Sequence, residues 1–478
     1  MTDDGRAAPT HTTAQPGPAA RPEAIRLSEV LSALTYALDI TEGQPEGHAV
    51  RTCLIGMRLG ETLGLPARRR SALFYTLLLK DLGCSSNAAR VASLFAADDR
   101  VVKRDLKTTD WPRWLEAARY VMRNAAPGAS PVERALRVLA IGLRGQRGAR
   151  QLTQLRCERG ADIARLMGFP DETVEGIRAL DEHWDGHGHP RGLRSETIPL
   201  LARIAGLAQT VEVFRGARGI EAAYAMARAR RGQWFDPALV DLLLAIDPED
   251  ELWRRLRAPD LRADLAAVEP ADHVVLADET RLEHVAEAFA LIVDAKSPWT
   301  YHHSRGVAEI ATGVGGVMGL PGEDLAGLRR AALLHDIGKL GISNRVLDKP
   351  GPLAETEREE MRRHVEYTQQ LLERVVRFRD VASLASGHHE RLDGQGYYKG
   401  LSARDLTVPA RLLTVADIFE ALSADRPYRR GLPEAEALET MRRDVGTRVC
   451  PDCFDALRVF LDRTPFVPYG RRVPREGP

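Results

Sequence analysis

Six of the 13 histidines fall between positions 302 and 389, under a fifth of the chain. Five of them, His303, His335, His364, His388 and His389, combine with Asp336 and Asp417 into a set of imidazoles and carboxylates. Such side chains suit divalent ions of the Mn, Fe or Zn type. Seven ligands are too many for one tetrahedral site and match two metals about 3.5–4 Å apart. Asp336, with two oxygens, can bridge them. Neighbouring side chains on a helix diverge by about 100°, so His388 and His389 could serve different ions. A two-metal centre suits phosphoester hydrolysis, because it lowers the pKa of water and neutralises phosphate. Asp336 is expected to carry the chemistry; Lys339, about one helical turn on, either adds a positive charge for the phosphate or is a solvated surface lysine, and spacing alone favours neither. A lone histidine is more often a surface or core residue; the joint pattern is what points to metal.

The elements that position these residues read as helices. Leu325, Leu328 and Ala332 recur at spacings of three and four between Asp324 and Leu334, with Arg329 and Arg330 off that face. That is a 3.6-residue period and not a strand alternation. His335-Asp336 is expected at the end of this helix, with His303 one helix earlier, His364 one helix later and His388-His389 on the next. Gly64-Leu65-Pro66 and Gly319-Leu320-Pro321 read as breaks between helices. The fold class is all-α.

The chain also repeats itself. His48 and His303 lie 255 residues apart, as do the two Gly-Leu-Pro breaks, and Lys80-Asp81-Leu82-Gly83 and His335-Asp336-Ile337-Gly338. An offset of 208 then pairs Asp185-Gly186 with Asp393-Gly394, Gly192-Leu193 with Gly400-Leu401 and Arg203 with Arg411. The first copy therefore carries about 47 extra residues. The expected organisation is a disordered tail over 1–24, a first copy over 25–246, a charged linker over 247–279, a second copy over 280–465 and a tail over 466–478. The ligand set is degenerate in the first copy. His335-Asp336 becomes Lys80-Asp81, His388-His389 becomes Leu180-Asp181, and Asp417 becomes Gln209. A Lys ammonium repels a cation. His183, His187 and His189 read as polar loop residues, and the first copy as catalytically dead.

Lys+Arg and Asp+Glu both number 67, which excludes a globally basic surface for nucleic acid. The Arg-rich stretch 227–231 reads as a solvated helix face. No apolar run approaches a membrane span and the N-terminus lacks the apolar core of a signal peptide, so a cytoplasmic protein without a membrane partner is expected. Five cysteines make no disulfide framework. Cys450-Pro451-Asp452-Cys453 has Cys-x-x-Cys spacing but no second pair to complete a zinc site.

The second copy resembles the HD-GYP family, a branch of the HD phosphohydrolase superfamily. The matching strings are His303-Ser304, His335-Asp336-Ile337-Gly338-Lys339, His364, His388-His389-Glu390-Arg391, Asp393-Gly394-Gln395-Gly396-Tyr397, Val415-Ala416-Asp417 and Asp425-Arg426-Pro427-Tyr428-Arg429. The resemblance implies two tandem HD-superfamily helical bundles and a metal-dependent phosphodiesterase giving pGpG or GMP from cyclic di-GMP. It implies Fe or Mn as the metal, phosphate contacts at Lys339, Arg426 and Arg429, and a substrate wall at Gly396 and Tyr397. The family loop reads Gly-Tyr-Pro, whereas this chain has Tyr398 in place of Pro. Some members with three metals carry a Glu four residues before the first His; here that position is Trp299, which favours two metals. Alternative readings are a phosphohydrolase of another nucleotide or phosphoester, and a non-enzymatic nucleotide-binding regulator. The first copy is expected to serve a homodimer or a signalling partner.

Overall fold

The computed structural model describes residues 25–109, 114–298, 300, 302–425, 430–464 and 466–468, with the side chains of 114 and 144–147 also set aside. The terminal tail 1–24, Trp299, Arg426 and Arg429 lie outside the described residues. Among the described residues the chain is helical, with isolated β-bridges and no strand longer than a single residue.

The helices that the two copies share follow one another in the same order. His48–Thr62 and His303–Val317 are both 15 residues long, and Ala67–Leu79 and Gly322–Leu334 are both 13. Each pair starts 255 residues apart. The breaks between them share one physical cause. Gly64 and Gly319 have φ of +67° and +74°, the left-handed region that only glycine adopts freely. The following leucines then close the helix ends, with Leu65 N–H on Gly60 O at 3.1 Å and Leu320 N–H on Gly315 O at 3.0 Å. Pro66 and Pro321 start the next helices.

Further along, Asp171–Arg178 and Arg379–Ser386 keep the offset of 208. A third register of 214 residues relates Pro237–Leu244 to Pro451–Arg463. The extra length of the first copy forms the helices Asp99–Lys107 and Trp114–Asn124 and the front of a 36-residue helix, Pro131–Leu166.

One apolar core runs through both copies, from Leu31 and Phe74 to Phe289 and Phe419. The segment expected as a charged linker packs against it: Trp253, Leu256 and Leu265 are buried, and Trp253 meets the Tyr224 ring edge-on. Buried Glu269 accepts hydrogen bonds from Ser28 Oγ at 2.8 Å and the Tyr75 hydroxyl at 2.9 Å. The first copy's extra helix also reaches the second copy. Asp99 Oδ1 accepts the Asn344 N–H at 3.0 Å, and the Arg100 guanidinium donates to Gly341 O. No helix is long and apolar enough to cross a membrane among the described residues.

Candidate metal centre

His335 follows directly on the Gly322–Leu334 helix, as expected, and Asp336 opens the 3₁₀ turn Ile337–Gly341 that carries Lys339. Gly338 is required here, since a Cβ would stand 1.9 Å from His364 O. The Thr368 hydroxyl ties the same turn down, donating to His335 O at 3.0 Å and accepting the Gly338 N–H at 3.0 Å. Two placements differ from expectation. His364 begins its own helix only after the short helices Asn344–Leu347 and Glu355–Arg362, so it is not one helix later. His388 and His389 lie past the end of Arg379–Ser386, in the turn after it, because that helix stops at Gly387.

The structure brings His303, His335, Asp336, His364, His388, His389 and Asp417 together. Asp336 stands in the middle. Its Oδ2 faces His303 Nε2 at 3.7 Å and His335 Nε2 at 3.3 Å; its Oδ1 faces His364 Nε2 at 3.5 Å and His388 Nε2 at 3.8 Å. Asp417 Oδ1 lies 3.3 Å from His303 Nε2 and 3.9 Å from His335 Nε2. Three overlapping groups result, two of them His303–His335–Asp417 and His364–His388–His389, each with ligand atoms within 4.8 Å of one another. His388 shares the second group with His389 and also belongs to a third, with His335 and Asp336.

The tautomers are fixed from behind. His335, His364 and His388 each turn Nδ1 to the carbonyl three residues earlier, Ala332, Met361 and Ala385, at 2.7, 2.7 and 2.6 Å. A carbonyl only accepts, so each Nδ1 carries the proton and each Nε2 presents a lone pair inward. His364 Nε2 and His388 Nε2 then face each other at 3.4 Å as two acceptors. His335 Nε2 and Asp336 Oδ1 are buried with no hydrogen-bond partner. Converging buried lone pairs of this kind fit cations between them.

Electrostatics agree at His364, His388 and His389. Burial lowers His364 to about 4 and His388 to about 3, and holds His389 well below the usual imidazole value, so all three are neutral donors at pH 7. For His335 burial acts downward, but the Asp336 and Asp417 charges outweigh it and raise the pKa. Asp336 and Asp417 stay well below the carboxylate range: burial opposes ionisation, and the surrounding imidazoles, with Lys339 at Asp336, overcome it. Lys339 Nζ sits 2.5 Å from Asp336 Oδ2.

Sequence reasoning missed the residues that hold the ligands. Glu420 Oε2 pairs with His303 Nδ1, and buried Asp294, pushed up to about 7 by burial, binds the Ser304 N–H at 3.2 Å and hydroxyl at 2.8 Å. Glu390 organises the following loop by accepting the Lys399 and Leu401 N–H groups at 2.8 and 2.9 Å. Within that loop the Tyr397 ring lies 4.8 Å from the His389 ring, while Gly396 has no room for a Cβ, which would sit 2.5 Å from Glu390 Cα. Tyr398 has φ +97°, a value closed to proline, whose ring fixes φ near −65°.

The first copy keeps this scaffold around a different interior. Glu212 pairs with His48 as Glu420 does with His303, and Asp39 anchors the Gly47 and Ala49 N–H groups at 2.8 and 3.1 Å. In the interior, however, Lys80 pairs with Asp81, and Arg156, at the position of His364, pairs with Asp181. Lys107 Nζ lies 2.8 Å from Glu42 and 3.9 Å from Asp81. Glu42, Asp81 and Cys84 would otherwise resemble a ligand group. His183 stacks on Trp234 at 4.3 Å and exposed His187 pairs with Asp185 at 3.3 Å, roles within the loop, as expected. Arg230, expected on a solvated face, is instead buried with its guanidinium 3.9 Å from the Trp234 ring centre.

This helical frame, in two copies with one ligand-rich interior, defines an HD-type hydrolase fold. The HD domain family model matches residues 147–239 and 287–452, one stretch in each copy. The 3'3'-cGAMP-specific phosphodiesterase 3 of Vibrio cholerae serotype O1 is 43% identical over 92% of this chain and 95% of its own length. A crystal structure of a cyclic GMP-AMP specific phosphodiesterase of V. cholerae, V-cGAP3, superposes with a TM-score of 0.62 at 39% identity, covering 92% of this chain and 99% of that one. The cyclic di-GMP phosphodiesterase response regulator RpfG of Xanthomonas campestris pv. campestris is 35% identical over 37% of this chain and 48% of its own. The chain belongs to the HD domain family, in its HD-GYP branch, and is an HD-type metal-dependent phosphodiesterase.

Proposed function

We propose that the chain hydrolyses a cyclic dinucleotide, 3'3'-cGAMP in preference to cyclic di-GMP, at a site where His303, His335 and Asp417 would hold one divalent ion and His364, His388 and His389 a second, with the Asp336 carboxylate between the two groups. The observation that carries the chemistry is the division of Asp336, one oxygen toward each imidazole group. The substrate preference rests on the full-length likeness to a cGAMP-specific relative.

Bound metals, Fe or Mn, would supply a lowered water pKa and charge neutralisation at the phosphate. The protein's own groups do the rest. Glu420 and the three backbone carbonyls keep the ligand lone pairs pointed inward. Lys339 places an ammonium at the rim, where it can meet a phosphate oxygen. Tyr397, its ring tilted against His389, offers a flat wall to a base. Arg426 and Arg429 remain candidate phosphate contacts on the strength of the family strings alone.

Chromatography of products after incubating the full chain with 3'3'-cGAMP or cyclic di-GMP, with Mn or Fe(II), tests the reading. A linear dinucleotide from 3'3'-cGAMP at the higher kcat/KM supports it. Faster turnover of cyclic di-GMP restores the substrate that the family motifs first suggest. Turnover of neither, with metal bound, points to another phosphoester or a binding role.

A further inference from the structure

The 3₁₀ turn Ile337–Gly341, which Asp336 opens and which carries Lys339, ends on two carbonyls held from outside it. Leu340 O accepts Lys296 Nζ at 3.1 Å and, from the first copy, the Thr41 hydroxyl at 3.5 Å. Gly341 O accepts the Arg100 guanidinium, also from the first copy. Just beyond the turn, Asp99 Oδ1 accepts the Asn344 N–H at 3.0 Å, and the Asn344 side-chain amide donates to Lys296 O at 2.8 Å. Lys296 is 1% exposed and Asp99 fully buried, with Nζ 3.7 Å from Asp99 Oδ2. A buried ammonium needs an opposite charge. The ion pair that Lys296 makes reaches across to the first copy.

Asp99 and Arg100 open the helix Asp99–Lys107, part of the first copy's extra length. The same helix also reaches the equivalent turn of its own copy, where Lys103 Nζ donates to Cys84 O at 2.6 Å. Cys84 stands 255 residues before Lys339, the offset of the repeat. One helix therefore donates to a carbonyl at each of the two equivalent turns. Arg100 is itself braced, with Asp98 Oδ2 at 2.7 Å and Glu360 Oε1 at 3.4 Å. Glu360 Oε1 in turn accepts the Ser343 N–H at 3.3 Å. The start of the Ile337–Gly341 turn is tied by Thr368, from its own copy. Its end is tied by the other copy.

We propose that the helix Asp99–Lys107 of the first copy holds the second copy's Ile337–Gly341 turn in place for hydrolysis, with Arg100 as a positioning residue for Lys339. The proposal rests on the role given above to Lys339, a positive charge for the phosphate. Lys339 is two residues from Gly341, so the hydrogen bond from Arg100 fixes the backbone that carries it. Asp99 supports the same end of the turn, because it pairs with the Lys296 ammonium that holds Leu340 O. A charge aimed at a transition state is effective when it is held there in advance. A displacement of about 1 Å caused by a distant change can cost about 10²-fold in rate. The first copy, whose own ligand set is degenerate, thereby serves the chemistry of the second.

A double-mutant cycle between Arg100 and Lys339 tests this in the full-length, metal-loaded chain, with whichever of 3'3'-cGAMP and cyclic di-GMP the wild type hydrolyses faster. Arg100→Met keeps an apolar stem and removes the donors to Gly341 O. It should lower kcat about 10–100-fold and leave KM within about twofold of wild type. Metal content per chain should stay that of wild type, because no ligand is touched. Lys339→Ala should be slow by itself, and adding Arg100→Met to it should cost less than about twofold more, since the charge to be positioned is gone. Arg100→Lys, which keeps a donor and the charge, should show a smaller loss with the same coupling, and it runs the cycle alone where Arg100→Met does not fold. Arg104→Met, at an exposed position of the same helix, should turn over like wild type. An Arg100 effect that is absent, or as large beside Lys339→Ala as alone, overturns the positioning while leaving Lys339 its role. Lys339→Ala that turns over like wild type refutes that role, and the proposal falls with it.

Discussion

The two copies share a frame and differ in what it encloses. Around His303 the interior is a ring of inward lone pairs and carboxylates that fits added cations. Around His48 the cations are already part of the chain: Lys80 and Lys107 lie on Asp81 and Glu42, and Arg156 on Asp181. The supporting groups are common to both, Glu212 with Glu420, Asp39 with Asp294 and Glu182 with Glu390. Such buried acids brace the helix starts and loops in either interior, which gives them a structural role apart from catalysis. A buried carboxylate needs a positive partner, and an ammonium or guanidinium can meet that need where a metal does not.

The sharpest break in this comparison is Asp336→Ala. It removes the bridge between both groups, and turnover should fall below detection in a product assay while the equivalent Asp81→Ala leaves turnover near wild type. Next comes Glu420→Gln, which loosens His303 from behind. Loss of such a partner costs about 10–100-fold in metal affinity or activity. Glu212→Gln, tested beside it in the same metal titration, should change neither. Tyr398→Pro forces a new backbone on the loop, since φ +97° is closed to proline. Its steady-state kinetics should show KM raised more than kcat lowered if this loop is the substrate wall, since it holds none of the proposed metal ligands. The smallest effect on turnover is expected for Lys80→Ala, yet that variant should be less stable by about 3–5 kcal/mol in denaturant unfolding, as Asp81 loses a buried partner. Lys80→Ala that unfolds like wild type would remove the idea that chain-borne cations substitute for metal.

The ligand set was legible because histidines are few and stand in motifs. The copies were legible because whole helices start at fixed offsets, 255 and then 208. The supporting shell was harder to see. Glu420 and Asp294 are two among 67 acidic residues and sit in no motif. Their partners Glu212 and Asp39 stand at the same two offsets, so the repeat held the signal. It also held Arg156 opposite His364. The contact of Asp99 and Arg100 with the Ile337–Gly341 turn had no such mark, because the helix that carries them exists in one copy only. The burial of Trp253 in a stretch read as linker was hidden for another reason: apolar residues scattered among charges do not announce which face they cover.

The central claim is that added cations belong to one copy and chain-borne cations to the other. Metal content per chain, measured by elemental mass spectrometry after chelation and reloading with Mn or Fe(II), tests it most directly. Wild type and Asp81→Ala should each hold about two equivalents, and Asp336→Ala should lose most of both while remaining folded. Two equivalents retained in Asp336→Ala, or metal lost from a folded Asp81→Ala, would contradict the account.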